Sequence, residues 1–289
     1  MKIKKILGVF RLPIFSNNAI EADRKILEES LKLIESAAPE SVKIHTCEET
    51  DLETLRPQAD LVLTMAQSES ALLQLSKKFL PHQVLNNSEA IRSCYRKKMS
   101  ETLISLPVNY VPFQIVPTNW PDGMEMERGV PYWLKRSDFH AISDEDVSLV
   151  ESRGEAEEKL RRFQNRGVAE VLVQRHIHGD IYKFYGVSDT FFRAFKVRDY
   201  LKSNSQPNFT NLQKKATIAA SQLGVSIFGG DAVLDVNGRF HLIDLNDWPS
   251  FRLCRNDASH AIAAFALSRL ELEPEARPES SLALSQSVQ

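Results

Sequence analysis

Apolar positions along the first third of the chain alternate between two periods. Residues 3 to 10, IKKILGVF, read as a strand, residues 19 to 36 carry apolar side chains at helical spacing, and residues 41 to 46, SVKIHT, read as a second strand. ADLVLTM and HQVLN repeat the strand pattern on either side of SESALLQLSKKF, whose Ser and Glu at 68 to 70 mark a helix start. Strand alternating with helix predicts a doubly wound parallel sheet up to about residue 87. NNSEAIRSCYRKKMSETLI carries capping residues followed by a helical pattern, and the prolines of LPVNYVPFQIVPTNWPDG mark a boundary after it. From residue 130 the strand patterns PYWLKRS, EVLVQRHI, DIYKFYGVS and FFRAFKVRD follow with short links, with helices near 154 to 166 and 209 to 223, and predict an antiparallel α+β half. The tail ELEPEARPESSLALSQSVQ is rich in Glu, Pro and Ser and is expected to be disordered. The predicted organisation is an α/β unit over 1–88, two α+β lobes over 89–170 and 171–272, and a tail over 273–289.

Composition narrows the partner. Across 289 residues, 36 Lys and Arg face 38 Asp and Glu, so no global field draws the chain to nucleic acid or anionic lipid, and a small molecule is the expected partner. Three cysteines, Cys47, Cys94 and Cys254, are odd in number and far apart, which fits a reducing cytoplasm rather than a disulfide framework. The basic N-terminus has its apolar run interrupted at Arg11, so no signal peptide is expected. No apolar run comes near the roughly 18 residues of a membrane span, the longest near the end being AIAAFAL. The reading is a cytoplasmic protein away from membranes, with oligomer formation left open.

The chemistry concentrates in DAVLDVNGRFHLIDLN. Asn237-Gly238 between two alternating runs predicts a hairpin with a two-residue turn of positive φ at both positions. Pairing Val236 with Arg239 then puts Val233 opposite Leu242 and Asp231 opposite Asp244, with Asn246 two residues on along the same face. Two facing carboxylates repel unless they share a proton or a cation. Two carboxylates and an amide oxygen form a hard, oxygen-only set suited to Mg²⁺ with nucleotide phosphates, although the same acids also fit a solvated hairpin face. Gly229-Gly230 before Asp231 allows a bend or a close approach.

Phosphates call for cations on neighbouring strands. Lys135 in PYWLKRS and Lys183 in DIYKFYGV sit among apolar neighbours, where a lysine is costly unless it meets negative charge; solvent on the open face of a sheet is the other reading. Lys98 in YRKKMSE is a third, weaker candidate. Gln174 and His176 alternate along EVLVQRHI, and His178-Gly179-Asp180 read as a bend. This segment is expected to be a linker facing an adenine through Gln174 and its backbone, with Asp180 near ribose hydroxyls; no third ligand suits His176 and His178 to zinc.

Together these pieces resemble the ATP-grasp superfamily over roughly residues 85 to 265. The resemblance implies an N-terminal doubly wound parallel sheet followed by two α+β lobes enclosing ATP, with Mg²⁺ or Mn²⁺. It implies Lys98 and Lys135 as the nucleotide lysines, Gln174, His176 and Ile177 at the adenine, Asp180 at the ribose, Lys183 at the phosphates, and Asp231, Asp244 and Asn246 as metal ligands. Departures are visible. No glycine lies between Lys135 and Val147, where most relatives carry a glycine-rich loop, and Ser250 stands where a glycine usual in the superfamily follows the final proline. His140 is similar in position to a phosphate-contacting His of the inositol-phosphate kinase branch, which DIYKFYGV also resembles.

The leading expectation is an ATP-dependent ligase joining a carboxylate, small or peptidic, to an amine through an acyl phosphate. Lys135, Lys183 and His140 are its catalytic candidates. A kinase acting on a hydroxyl and a nucleotide-binding protein without turnover are the alternatives. Lys196 and Arg198 in FFRAFKVRDYLK share parity, hence one face if the strand persists, and are substrate candidates. Arg11, with Asn17 and Asn18, follows the first strand, where open α/β sheets bind ligands.

Overall fold

Both faces of β1 (Lys4–Phe10) are covered, so Ile6 to Phe10 are continuously buried rather than alternating. β1 pairs in parallel with β2 (Val42–Glu48) and β3 (Leu61–Thr64), and β3 with β4 (Val84–Leu85), giving the order β2-β1-β3-β4. On one face Ile26, Leu27, Leu31 and Ile34 of α1 (Ile20–Ala37) pack on Ile6 and Leu63. On the other, Leu72 and Leu75 of α2 (Glu69–Lys78) pack on Leu7 and Val62. This is the doubly wound unit predicted from strand–helix alternation. The computed structural model describes residues 3–16, 19–119, 123–139, 143–201 and 207–272; the predicted tail, His140, Asn17 and Asn18 lie outside these.

The helical pattern over 86–104 forms two helices. α3 (Ser88–Ser93) is capped by Asn87, whose side chain accepts from Ala90 N at 3.0 Å, and α4 (Arg96–Leu103) follows an extended Tyr95 with φ −61° and ψ 135°. That break turns the Tyr95 ring onto Phe139, with centroids 4.8 Å apart.

The second sheet is antiparallel, in the order β5-β8-β6-β7: β5 (Phe113–Pro117), β6 (Tyr132–Arg136), β7 (Val147–Val150) and β8 (Glu170–Arg175). α5 (Arg153–Asn165) covers it through Leu160 and Phe163. β5 rises from the proline-punctuated stretch expected to be a boundary. As an edge strand it tolerates prolines, which lack a ladder donor.

The third sheet, β10-β9-β11-β12, contains β9 (Gly179–Val187), β10 (Phe191–Arg198), β11 (Ile227–Asp235) and β12 (Phe240–Asp247), all antiparallel. Its core is shared with α6 (Phe209–Leu223) and with Met99, Leu103 and Tyr110, while Arg96 and Lys97 of α4 bond the second sheet at Arg136 O (2.8 Å) and beside it at Ser137 O (2.9 Å), so the segment after α3 bridges the two lobes. α7 (Arg255–Arg269), which contains the AIAAFAL run, packs on α1 within the core that also holds Tyr185 and Trp248. Asn86 stitches the units together, accepting from Ser226 N (2.7 Å) and Ile227 N (3.1 Å) and donating to Ile227 O (2.8 Å). Trp248 Nε1 adds a bond to Leu85 O at 2.9 Å. Among the described residues no helix is long and apolar enough to cross a membrane.

Candidate nucleotide and acceptor site

The acidic hairpin reaches its register by two compensating steps. Asp235 N donates to Arg239 O at 3.0 Å, which leaves Val236, Asn237 and Gly238 as a three-residue loop. Gly238 alone is left-handed there, at φ 74°, so the expected two-residue turn with positive φ at both positions is not formed. The Asp235 carboxylate holds the turn instead, accepting from Asn237 N and Arg239 N at 2.9 Å each. The longer loop slips the pairing by one, placing Val233 opposite His241 rather than Leu242. A bulge at Ile243 then restores it, and Asp231 lies opposite Asp244. Gly230 pairs with Leu245, and a Cβ there would run into Asp244 O, so this close approach of the strands needs the glycine. Asn246 continues on the Asp244 face. Two carboxylates and an amide oxygen on one face suit a hard divalent cation.

A cavity of about 360 Å³ opens between the two antiparallel sheets, with Trp133, Lys135, Gln174, His176 and Ile177 on one side and Lys183 and Asp231 on the other. Lys135 is only 6% exposed and donates to Gln174 Oε1 at 2.6 Å. Burial, helped by nearby Arg96 and opposed by Asp244 and Asp231, pulls its pKa down to about 8. The lysine thus fixes Gln174 with its oxygen inward, and Gln174 Nε2 lies near the Tyr110 hydroxyl without closing a hydrogen bond. Trp133 Nε1 donates to His176 Nδ1 at 3.1 Å, which selects the imidazole tautomer protonated on Nε2. Burial and then His178 hold His176 below its ordinary pKa, so it stays neutral near pH 7.

A second cavity, of about 340 Å³, lies where the parallel-sheet unit meets the end of β12. Arg11, Asp23, Gln67, Arg96, Asp244, Asn246 and Asp247 line it, and Lys183 lines both cavities. Lys183 Nζ is 3.0 Å from Asp231 Oδ1, so this cation stands where the two spaces join, beside the acidic pair. Arg11 clamps three segments, donating to Met65 O (3.0 Å), Asp23 Oδ2 (3.3 Å) and Trp248 O (3.2 Å). The Phe139 ring packs at a tilt between Tyr95 and Phe15, with centroids 4.8 and 5.4 Å away, at the wall of this cavity.

Several expected site residues sit elsewhere. Lys98 is exposed, paired with Glu89, and on neither cavity wall; Arg96, two residues earlier and so on the opposite side of α4, faces the cleft instead. Asp180 does not face ligand space. It is 1% exposed, accepts from Tyr200 N and Leu201 N at 2.7 Å each, and pairs with Lys196 at 3.0 Å. Burial works to raise its pKa, but those hydrogen bonds outweigh it and hold the carboxyl below its usual range. Lys196 is committed to Asp180 and to Asp199 (3.2 Å), away from both cavities. Lys196 and Arg198 of β10 do not share a face: a bulge between them sets Lys196 opposite Tyr182 but Arg198 opposite Ile181, turning Arg198 into the cavity between the antiparallel sheets, where it bonds Tyr200 Oη at 3.1 Å. Ser250 is not left-handed; the positive φ values fall on Trp248 (35°) and Phe251 (48°), both buried.

Asp247, Gln67, Trp133 and Arg96 were not among the candidates. Asp247 has the wrong parity for the acidic face and reaches the second cavity because β12 ends there. Gln67 lies in a loop with no motif.

No family model matches the sequence, and no characterised protein matches it by sequence. Solved structures do match in shape. A D-alanine–D-alanine ligase from Bacillus anthracis complexed with ATP superposes with TM-score 0.69 at 11% identity, over 93% of this chain and 98% of that one. A D-cycloserine synthetase superposes with TM-score 0.63 at 14% identity, over 92% and 99%. The chain has the ATP-grasp fold, a parallel α/β unit followed by two antiparallel lobes.

Proposed function

We propose that this ATP-grasp chain is a Mg·ATP-dependent ligase that joins a carboxylate to an amine. The observation that carries the reading is the placement of Lys183, which lines both cavities beside the facing Asp231 and Asp244. A triphosphate running from the space between the sheets passes this junction before it reaches the second cavity. The base is held by Trp133, His176 and Ile177, and the phosphates by Lys135 and Lys183. Asp231, Asp244 and Asn246 fit a Mg²⁺ ion, which when bound neutralises phosphate charge and orients the chain for transfer.

The acceptor carboxylate in the second cavity takes the γ-phosphoryl group, releasing ADP and forming an acyl phosphate. An amine then attacks the acyl carbon with its lone pair, phosphate departs, and the amine loses one proton to leave an amide. The fold shared with a D-alanine–D-alanine ligase and a D-cycloserine synthetase supports ligation, while identities of 11% and 14% leave the acceptor to experiment.

The test is to supply Mg·ATP with amino acids, dipeptides and polyol phosphates and to follow both ADP and phosphate. Amine-dependent release of ADP with stoichiometric phosphate and an amide product supports the ligase. A phosphorylated acceptor without free phosphate makes the protein a kinase, and nucleotide binding without any release makes it a non-catalytic binder.

A further inference from the structure

Arg96 is a buried cation on the wall of the second cavity, with 4% of its surface exposed. Its Nη1 donates to Arg136 O at 2.8 Å, a neutral acceptor. Among the described residues no carboxylate forms an ion pair with it and its Nε and Nη2 make no hydrogen bond, yet neither atom is sealed from solvent. The open Nε–Nη2 edge is the fork that matches two oxygens of an oxyanion. A guanidinium taken out of water without a counter-charge is costly, so the fold keeps a place for an anion beside it.

The other charges on this wall have counterparts. Arg11 and Ser16 bond Asp23, Gln67 donates to both oxygens of Asp247, and Lys183 pairs with Asp231. Asp244 faces Asp231 and belongs to the oxygen set proposed for the metal.

Next to the guanidinium the wall turns apolar. Tyr95 immediately precedes Arg96, and its ring packs on Phe139, three residues after the carbonyl that Arg96 holds. The same two segments therefore deliver the cation and the ring. Phe15, from the parallel unit, packs on Phe139, and both phenylalanines are half-buried and line the cavity together with Ala19 and Pro249. Aromatic surface left partly open beside a charged site is covered favourably by an apolar group.

We infer that the acceptor is a monocarboxylate carrying an apolar side chain, with Arg96 taking the carboxylate and Phe139 and Phe15 the side chain. A second acidic group would find Arg11 already committed and three aspartates around it. The inference rests on the ligase reading for the fate of the carboxylate, but not for its binding. Arg96 and the two phenylalanines are binding residues, and Tyr95 acts through Phe139 as a positioning residue.

The experiment is calorimetric titration of the full chain, first with Mg²⁺ and a non-hydrolysable ATP analogue and then, once loaded, with acetate, phenylacetate and succinate. Phenylacetate is expected to bind about tenfold or more tightly than acetate, and succinate no more tightly than acetate. Phe139→Ala should bring phenylacetate to within about twofold of acetate, whereas Phe139→Leu, which keeps an apolar side chain against Tyr95 and checks that folding is intact, should retain part of the difference. Arg96→Met should weaken acetate and phenylacetate alike, by about tenfold or more. Equal affinity of the wild type for acetate and phenylacetate overturns the inference, as does tighter binding of succinate, or an Arg96→Met chain that loses the nucleotide analogue and keeps the carboxylates. Failure of the wild type to bind the analogue counts instead against the ligase reading on which the fate of the carboxylate depends.

Discussion

Lys135 Nζ and Gln174 Oε1 are 2.6 Å apart, both on largely buried side chains at the wall of the cavity between the two sheets. Without phosphate nearby, that amide oxygen compensates poorly for burial, which is why the amine titrates at about 8 rather than 10.5. For a base whose folded pKa is depressed, the protonated form costs stability at low pH, and the cost is relieved as pH rises from about 8 towards 10.5. A triphosphate reverses the imbalance by favouring the charged form. Mg·ATP affinity is therefore expected to be flat below pH 8 and to fall by up to about tenfold per pH unit above it, with proton uptake on binding. Calorimetry in two buffers of different ionisation enthalpy checks both, and Lys135→Met should abolish the dependence while stabilising the free protein at pH 7. A flat affinity up to pH 10 would show that Lys135 does not meet the phosphates.

Asp244 faces Asp231 across the hairpin, with Lys183 already 3.0 Å from Asp231. Replacing one carboxylate with an amide keeps the shape and removes the repulsion, so Asp244→Asn should fold with unchanged or slightly raised stability. It should lose Mg²⁺-dependent nucleotide turnover by a factor of roughly 10² or more, because the phosphate charge is no longer fully neutralised. Retained turnover in a standard coupled ADP assay would move the metal away from this pair.

The parallel unit was legible because the short apolar runs of β1 and β3 and the mixed run of β2 are too short for helices and are separated by amphipathic helical stretches. β5 and β7 were not, since an edge strand with prolines and a four-residue strand, VSLV, leave almost no periodic signal. The Asp231–Asp244 pairing was read from a turn that is one residue shorter than the real one, and it survives only because the Ile243 bulge adds a residue to β12. The same device on β10 had the opposite result: the bulge at Val197 separates Lys196 from Arg198, and parity misassigns one of them. Bulges are local answers to packing and carry no dependable sequence mark. Gln67 and Glu49 were beyond reach for another reason: their partners, Asp247 and the loop at Leu12, are brought together only by the tertiary fold.

Asp180 anchors the end of β10 rather than a ribose. Two part-buried backbone amides and Lys196 share its carboxylate, so Asp180→Ala removes their common acceptor, while water can still reach the freed donors, and should cost about 1 to 2 kcal/mol. Tyr200 and Arg198 line the cavity proposed to take the nucleotide, so the loosened segment should also raise the KM for ATP. Arg198→Ala isolates the second effect: weaker nucleotide binding with stability within about 0.5 kcal/mol of wild type, since the residue is exposed. Urea titrations and ATP saturation curves on the two variants should separate; identical behaviour would mean that Arg198 serves only the loop.

Glu49 ties two loops that frame the second cavity. One oxygen accepts from Leu12 N at 3.1 Å and the other from Gln67 N and Ser68 N at 2.6 and 3.2 Å, with the carboxylate 2% exposed as a residue. Glu49→Gln keeps one acceptor but turns an amide N–H₂ towards backbone donors on the other side, so bonds are lost and donors are left facing each other. The expected loss is about 2 to 4 kcal/mol of stability, the weight of charge-assisted bonds in a buried setting. Because Leu12 follows Arg11 and Ser68 caps α2, the disturbance stays within the parallel unit: acceptor KM should rise while ATP affinity, set by residues of the two antiparallel sheets, stays within about twofold. Glu49→Asp, which retains the charge at a shorter reach, should recover part of the stability and part of the KM. An ATP affinity that falls in step with acceptor binding would instead mean that the parallel unit and the nucleotide cleft are coupled through Lys183 and the end of β12.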